Sequence, residues 1–349
     1  MSETVFNKIH PSVSVIIPMR NEKKYIRQCL ESILGTEYPK DLLEVIVIDG
    51  MSTDGSRNIV MEYCAEYPMI KILDNPGKII PKALNIGWKA AKGQIIIRMD
   101  AHALYSPDYI PRCVELLQTT PAKNVGGRQR PMGVTFKEKA IAIALSSRFG
   151  IGNVAYKFKK ECAYVDTVYL GAWWKKTLED LDGFNERWWV NEDYELNYRL
   201  RQKGEKILLS PDILSQYYVR GSLRRLFVQQ FRYGFWRYKT IRKHPGSLTW
   251  RYLIPPIFFV GVVISLLVGF FVDSKAFVFP LLYLIANMIA SIFLSLKNGL
   301  AYLFILPLIF VIIHGAWGAG FITGTFRWGI GTYPDKRNKN HFAEGCHEE

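Results

Sequence analysis

Short apolar runs alternate with stretches of helical period through the first hundred residues. Val13–Ile17 reads as a strand that Pro18 closes. Beyond Asn21 and Glu22, the positions Ile26, Leu30, Ile33 and Leu34 recur at helical spacing and form one inner face. Leu43–Ile48 is a second strand, ending in Asp49. Ser52-Thr53-Asp54-Gly55-Ser56 is a turn with several candidate N-caps. A helix through Ile59, Val60 and Tyr63 follows, then a strand near Ile70–Leu73 and a helix from Ile80 to Ala91 that Gly93 ends. Ile95-Ile96-Ile97 is the fourth strand and runs into Arg98-Met99-Asp100-Ala101-His102. This alternation predicts an α/β domain with a largely parallel central sheet. Ligands of such sheets bind beyond the carboxyl ends of the strands, so Asp49 and Asp100 should line one crevice. With no GxGxxG or Walker sequence present, neither a dinucleotide fold nor a P-loop is expected.

The last third reads differently. Ile254–Val272, Ala276–Leu296 and Leu300–Phe326 are apolar and about long enough to span a bilayer. Gly320-x-x-x-Gly324 is either a close-packing motif or a flexible helix end. Before these stretches, Ser222–Lys243 reads as a helix in which Arg224, Arg225, Arg232, Arg237, Lys239, Arg242 and Lys243 interleave with Phe227, Phe231, Phe235, Trp236 and Tyr238. A basic aromatic helix suits a lipid surface or a nucleic acid. Its place directly ahead of Ile254 holds it near lipid, so membrane lipid is the expected partner and nucleic acid is not. The expected organisation is a catalytic domain over 1–215, a basic interfacial helix over 216–252, a membrane segment over 253–326 and a polar tail over 327–349.

The formal charge of +14 over 349 residues strengthens the expectation of an anionic partner. Five cysteines with no CxxC spacing suit a reducing compartment, with most of them in the core. No signal-peptide pattern follows Met1, so the amino-terminal domain is expected to stay in the cytosol. The tail's Arg327, Lys336, Arg337 and Lys339 should be cytosolic by the positive-inside rule, whereas three full spans would put them on the other side. Either the rule fails here or one stretch is re-entrant or interfacial, with the Pro255-Pro256 segment as a candidate. Cys346-His347 with His341 is either a metal-binding tail or a plain chain end.

The candidate chemistry sits at Asp100 and His102, an acid and an imidazole two apart at a strand end, a spacing that lets both face one divalent cation. Val13-Ser-Val-Ile-Ile-Pro18 with Asn21-Glu22, Val47-Ile-Asp49 with Ser52–Ser56, Asn85-Ile-Gly87, Asp100-Ala-His102 and Asn191-Glu-Asp-Tyr-Glu-Leu occur in this order over roughly residues 11–240. Together they resemble the inverting family 2 glycosyltransferases of GT-A fold, the nucleotide-diphospho-sugar transferase fold. The DAH form and the apolar tail are most similar to the succinoglycan glucosyltransferase branch.

The resemblance implies a nucleotide-sugar donor, a UDP-sugar first, and a Mn²⁺ or Mg²⁺ ion. Asp100 and His102 stand at the family's DxD motif, where His102 either ligates the metal or contacts the diphosphate. Pro18, Glu22, Asp49 and Lys82 match donor-site positions. Asp49 should meet the base, although this chain has Asp49-Gly50-Met51-Ser52 where the familiar pattern has Asp-Asp-Gly-Ser. Asp193 is the candidate catalytic base, since an attacking hydroxyl must lose its proton in the transition state. Glu192 precedes it, and one of Trp188 and Trp189, with Trp189 the candidate, should line the acceptor site. Gln229-Gln-Phe-Arg232-Tyr233 resembles the QxxRW motif of processive synthases, in which Gln and Arg serve the diphosphate and the aromatic stacks on the acceptor; Tyr233 replaces the Trp. Gly126-Gly127-Arg128-Gln129-Arg130 either shapes the donor-sugar pocket or is a basic sheet edge. The implied protein is a multi-pass membrane transferase with its catalytic domain on the cytoplasmic face and a polyprenyl-linked acceptor.

Overall fold

A computed structural model describes residues 10–329, so Lys336, Arg337, Lys339, His341, Cys346 and His347 lie outside the described residues. The first half alternates β1 (Val13–Met19), α1 (Ile26–Leu34), β2 (Leu43–Asp49), α2 (Ser56–Glu66), β3 (Ile70–Asp74), α3 (Ile80–Ala90) and β4 (Ile95–Arg98). Then come β5 (Ala103–Tyr105), α4 (Tyr109–Thr119), β6 (Ala122–Met132), α5 (Phe136–Leu145), α6 (Arg148–Ile151), α7 (Ala155–Phe158), β7 (Ala163–Tyr164), β8 (Tyr169–Trp174), α8 (Lys175–Asp180), α9 (Glu192–Gln202) and β9 (Lys206–Tyr218). The long helices α10 (Leu223–Lys243), α11 (Ile254–Phe271), α12 (Val278–Asn298) and α13 (Leu306–Trp328) complete the described chain.

The strands form one sheet in the order β3-β2-β1-β4-β8-β6-β9-β5, with β7 on β9. The expected parallel sheet is its first half: β1 pairs in parallel with β2 and β4, and β2 with β3. The other half is mixed, because β8 runs antiparallel to β4 and β6, and β5 antiparallel to β9. The parallel pair of this half, β6 with β9, is joined through the helices α5–α9, since parallel neighbours need a crossover connection. Pro18 does not close β1, which continues to Met19 opposite Asp49. Gly93 lies beyond the end of α3 and is needed for a close approach instead: a Cβ there would stand 2.5 Å from the Ser14 amide nitrogen.

The core divides over the two faces of the sheet. Val15, Ile17, Val45, Val47 and Ile97 pack on α1 and α4, whereas Ile16, Ile46, Ile48 and Ile96 pack on α3 and α9. Alternate residues of each strand thus enter opposite layers, the period-two rule for a sheet covered on both sides. The 122–132 strand lies between β8 and β9, which excludes the sheet-edge reading of Gly126–Arg130. Cys29 and Cys113 are core residues, while Cys64 is half-buried and Cys162 is exposed.

Candidate active site

β1 lies between β2 and β4, so the carboxyl ends of those two strands flank it and bring Asp49 and Asp100 to one edge. Each has a distinct environment. Asp49 is fully buried: its Oδ1 accepts from the Ser52 hydroxyl at 2.6 Å and the Ser52 amide at 3.1 Å. Its Oδ2 accepts from Arg57 Nη1 at 3.2 Å, and the same Arg57 nitrogen reaches Asp74 at 2.6 Å. Asp49 therefore braces the turn that would carry the base, and Arg57 is the half-buried cation beside it. The chain also takes left-handed backbone at Asn21 (φ 55°) and Met51 (φ 61°), tied together by the Asn21 amide donating to Ser52 Oγ at 2.9 Å. Non-glycine residues in this region concentrate at functional sites.

At the end of β4, Arg98 joins two elements far apart in sequence. Its Nη1 donates to Glu192 Oε1 at 2.8 Å and its Nε to Asp100 Oδ1 at 3.3 Å. Tyr169 donates to Asp100 Oδ2 at 3.2 Å, and the Tyr105 hydroxyl and the Cys29 thiol bond the Asp100 backbone. Burial opposes the Asp100 charge, but Arg98, His102 and the Tyr169 hydroxyl outweigh it and hold the carboxyl below its usual range. Burial lifts the Glu192 carboxyl well above its usual range against the pull of Arg98, and the Asp193 charge adds to the lift. Opposite Arg98 in β8 stands Gly171 (φ 136°), following Leu170 (φ 62°), a second cluster of left-handed backbone. A Cβ on Gly171 would meet the Trp173 ring at 2.5 Å.

His102 turns toward Glu22: Nδ1 lies 3.5 Å from Glu22 Oε1, which also faces Arg220 Nη1 at 3.8 Å. Pro18 sits at the end of β1 beside Ile48, and the Lys82 stem lies over Gly77. The residues expected around the donor therefore border one edge of the sheet, with Glu22 joined to the DAH motif.

α9 begins at Glu192, after Asn191 in left-handed backbone (φ 63°), with three acids in its first turn. Acids there complement the helix dipole. Glu192 is buried on Arg98, whereas Asp193 is half-buried, its Oδ1 accepting from the Tyr194 amide at 2.7 Å. Asn191 Nδ2 donates to the Tyr233 carbonyl at 3.4 Å, and Gln229 Nε2 to the Tyr233 hydroxyl at 3.3 Å. The Gln229–Tyr233 stretch, Arg232 included, thereby lies on α10 against the start of α9. Of the two tryptophans, Trp188 is core, with Nε1 donating to Thr240 Oγ1 at 2.9 Å. Trp189 is half-buried and stacks on Trp236 with centroids 6.3 Å apart. Lys239 fixes this loop, donating to the Arg187 carbonyl at 2.6 Å among the rings of Trp188, Trp236 and Trp328.

Among the described residues no three His, Cys, Asp or Glu side chains group closely enough to hold a metal ion. The fit is instead of the kind found at nucleotide sites, where one or two protein donors share a cation with substrate phosphates and water. An ionised Asp100 and the imidazole of His102 suit that role.

Residues 14–168 match the profile of Glycosyl transferase family 2. The chain carries a family 2 glycosyltransferase domain of GT-A fold. A Methanococcus voltae dolichyl N-acetyl-alpha-D-glucosaminyl phosphate 3-beta-D-2,3-diacetamido-2,3-dideoxy-beta-D-glucuronosyltransferase is 27% identical over 323 residues, 90% of this chain and 97% of that protein. Succinoglycan biosynthesis protein ExoA of Rhizobium meliloti is 29% identical over 313 residues, 88% of this chain and 93% of that one. In fold, a Pyrobaculum calidifontis mannosyltransferase solved with GDP-Man and Mn²⁺ superposes with a TM-score of 0.59 at 20% identity, over 92% of this glycosyltransferase and 88% of that chain.

Sequence reasoning missed Arg98, Arg57, Arg220 and Tyr169. Arg98 had a usable signal, a cation closing an otherwise apolar strand. The others touch the site only because the sheet order brings their elements there.

Proposed function

We propose that this glycosyltransferase is membrane-bound, inverting and metal-assisted. It moves a sugar from a nucleotide sugar, a UDP-sugar first, to a polyprenyl-diphosphate-linked glycan in polysaccharide assembly, on the cytoplasmic face. The observation that carries this reading is the Arg98 bridge, which ties the strand end bearing Asp100 to the helix start bearing Asp193. Donor-side and acceptor-side acids then border one site. The printed names of the two relatives, one acting on a dolichyl-linked glycan and one in succinoglycan biosynthesis, support the acceptor class.

In this reading Asp193 takes the proton of the acceptor hydroxyl as its oxygen attacks the sugar from the face opposite the leaving group. Glu192, held by Arg98, orients the helix start and leaves the base role to its neighbour. Asp100 and His102 would hold a divalent cation, which when bound supplies electrostatic stabilisation of the leaving diphosphate. Gln229, Arg232 and Tyr233, with Trp189, would serve the acceptor, and the apolar helices would keep a lipid-linked acceptor within reach.

Asp193→Asn tests the assignment. It should abolish transfer while nucleotide-sugar affinity stays within about twofold; unchanged turnover removes Asp193 from the mechanism. Product analysis with defined lipid acceptors separates this reading from transfer onto polyprenyl phosphate itself, which yields a lipid-phosphate monosaccharide.

A further inference from the structure

Three helices are long and apolar enough to cross a bilayer, yet they differ in what covers them. Only 6% of the first span and 11% of the second are buried within the protein, against 44% of α13. α12 is inverted relative to a soluble helix. Its buried residues are Asn287, Ser291 and Ser295, whereas Leu282, Ile289, Phe293 and Leu296 face outward. Asn287 Nδ2 donates to the Pro307 carbonyl at 3.0 Å, so the polar stripe is bonded inward. Such a helix is built for surroundings as apolar as its outer face.

One face of α13 packs on the catalytic domain in its first half and on α10 in its second, while Leu308, Val311 and Phe326 stay exposed. Its first half contributes Leu306, Ile309, Phe310 and Ile313 to the same core as Ile141 and Leu145 of α5 and Leu226 of α10. His314 Nε2 donates to the Phe149 carbonyl of α6 at 2.8 Å, leaving Nδ1 to accept from Tyr283 at 3.0 Å. Its second half lies against α10 through glycines. A Cβ on Gly320 would stand 2.0 Å from the Phe231 carbonyl oxygen, and one on Gly324 2.9 Å from that of Phe235. Tyr238 then donates to the Gly329 carbonyl at 2.9 Å. These pairs advance together, so α10 and α13 run side by side in one direction.

We infer that α13 does not cross the bilayer. It lies flat on the membrane face of the catalytic domain, and α11 and α12 alone enter the hydrocarbon as a hairpin. If α13 crossed, it would carry α10 and its seven cations into the hydrocarbon with it, and each charge opposes that insertion. The hairpin leaves and returns on the domain side: Gly318 of α13 packs on Pro255 and Phe259 at its start, and Tyr302, just past its end, stacks on Phe136 of α5 at 4.9 Å. A hairpin that enters and returns on the domain side leaves the end of α13 on the same side as the active site, where the basic residue Arg327 belongs. This resolves the parity problem through the third stretch; the Pro255-Pro256 segment opens a helix that enters the membrane.

The inference rests on membrane attachment, so flotation of the full-length protein with liposomes comes first; failure to float removes attachment and this topology together. Single cysteines are then placed at Gln202 on the domain, Ser274 in the hairpin turn and Phe326 at the end of α13, with Cys64, Cys162 and Cys346 replaced by serine. In sealed proteoliposomes selected for outward-facing Q202C, a membrane-impermeant maleimide should label F326C without detergent and S274C only after detergent. Labelling of F326C only after detergent overturns the flat placement of α13. Labelling of S274C without detergent overturns the inserted hairpin. Transfer activity of the same variants reports separately on the catalytic reading.

Discussion

Arg98→Leu removes the cation that holds the two halves of the site together. The guanidinium is almost wholly enclosed, with 8% of its side chain exposed, as are its partners Asp100 at 16% and Glu192 at 6%. Without it, two enclosed carboxylates and the neighbouring Asp193 face one another with no counter-charge. Removing one partner from a buried ion pair costs about 3–5 kcal/mol. For a domain of this size each kcal/mol lowers Tm by roughly 2–4 °C, so the loss should be on the order of 10 °C. Glu192→Gln in the same molecule removes one stranded charge. The double variant should therefore be less destabilised than the two single losses summed, by about 0.5–3 kcal/mol. Mn²⁺ should raise the Tm of R98L more than that of the parent, because Asp100 has lost its internal competitor for a cation. The assay is thermal unfolding of the purified protein in detergent, with and without Mn²⁺, over the four members of the cycle. An R98L protein that melts with the parent, or a strictly additive cycle, would falsify the bridge as the link between strand and helix.

His102→Ala should move the Mn²⁺ half-saturation of transfer to higher concentration, and an unchanged titration curve removes His102 from ligation. Gly320→Val drives side-chain atoms into the Phe231 carbonyl and should cost about 1–3 kcal/mol, whereas Gly315→Val, with nothing within 4 Å of its added Cβ, should melt like the parent. Burial opposes the charge of Glu195, but His244 and Arg199 hold its carboxyl below the usual range. Between that folded value and pH 4.5 the unfolded chain binds more protons, so stability falls as pH drops through this window. Glu195→Gln should flatten that acid limb; an identical pH–stability profile would refute the contribution.

How much was legible in the chain differs between its parts. The four parallel strands and their helices are visible because each buries a local apolar pattern, and the two aspartate-bearing strand ends follow from that pattern alone. The basic helix and the three apolar stretches are equally local: α10 begins one residue past the Ser222 N-cap, whose Oγ accepts from the Arg225 amide at 3.2 Å. The mixed half of the sheet was hidden, since pairing β8 between β4 and β6 depends on partners tens of residues away.

Residue types and spacing determined which side chains could do chemistry: Asp100 with His102, Asp193, Asp49 and the Gln229–Tyr233 stretch. Tertiary structure alone decided what each one meets. Asp49 is closed in by Ser52 and Arg57, Glu192 is claimed by Arg98, and Asp193 stays half-buried at the helix start. It also decided the fate of the third apolar stretch. Hydrophobicity tells a helix to leave water, but both a bilayer and a protein surface satisfy that demand. Only the packing of Gly320 and Gly324 on α10, and of Leu306–Ile313 on the domain core, selects between them.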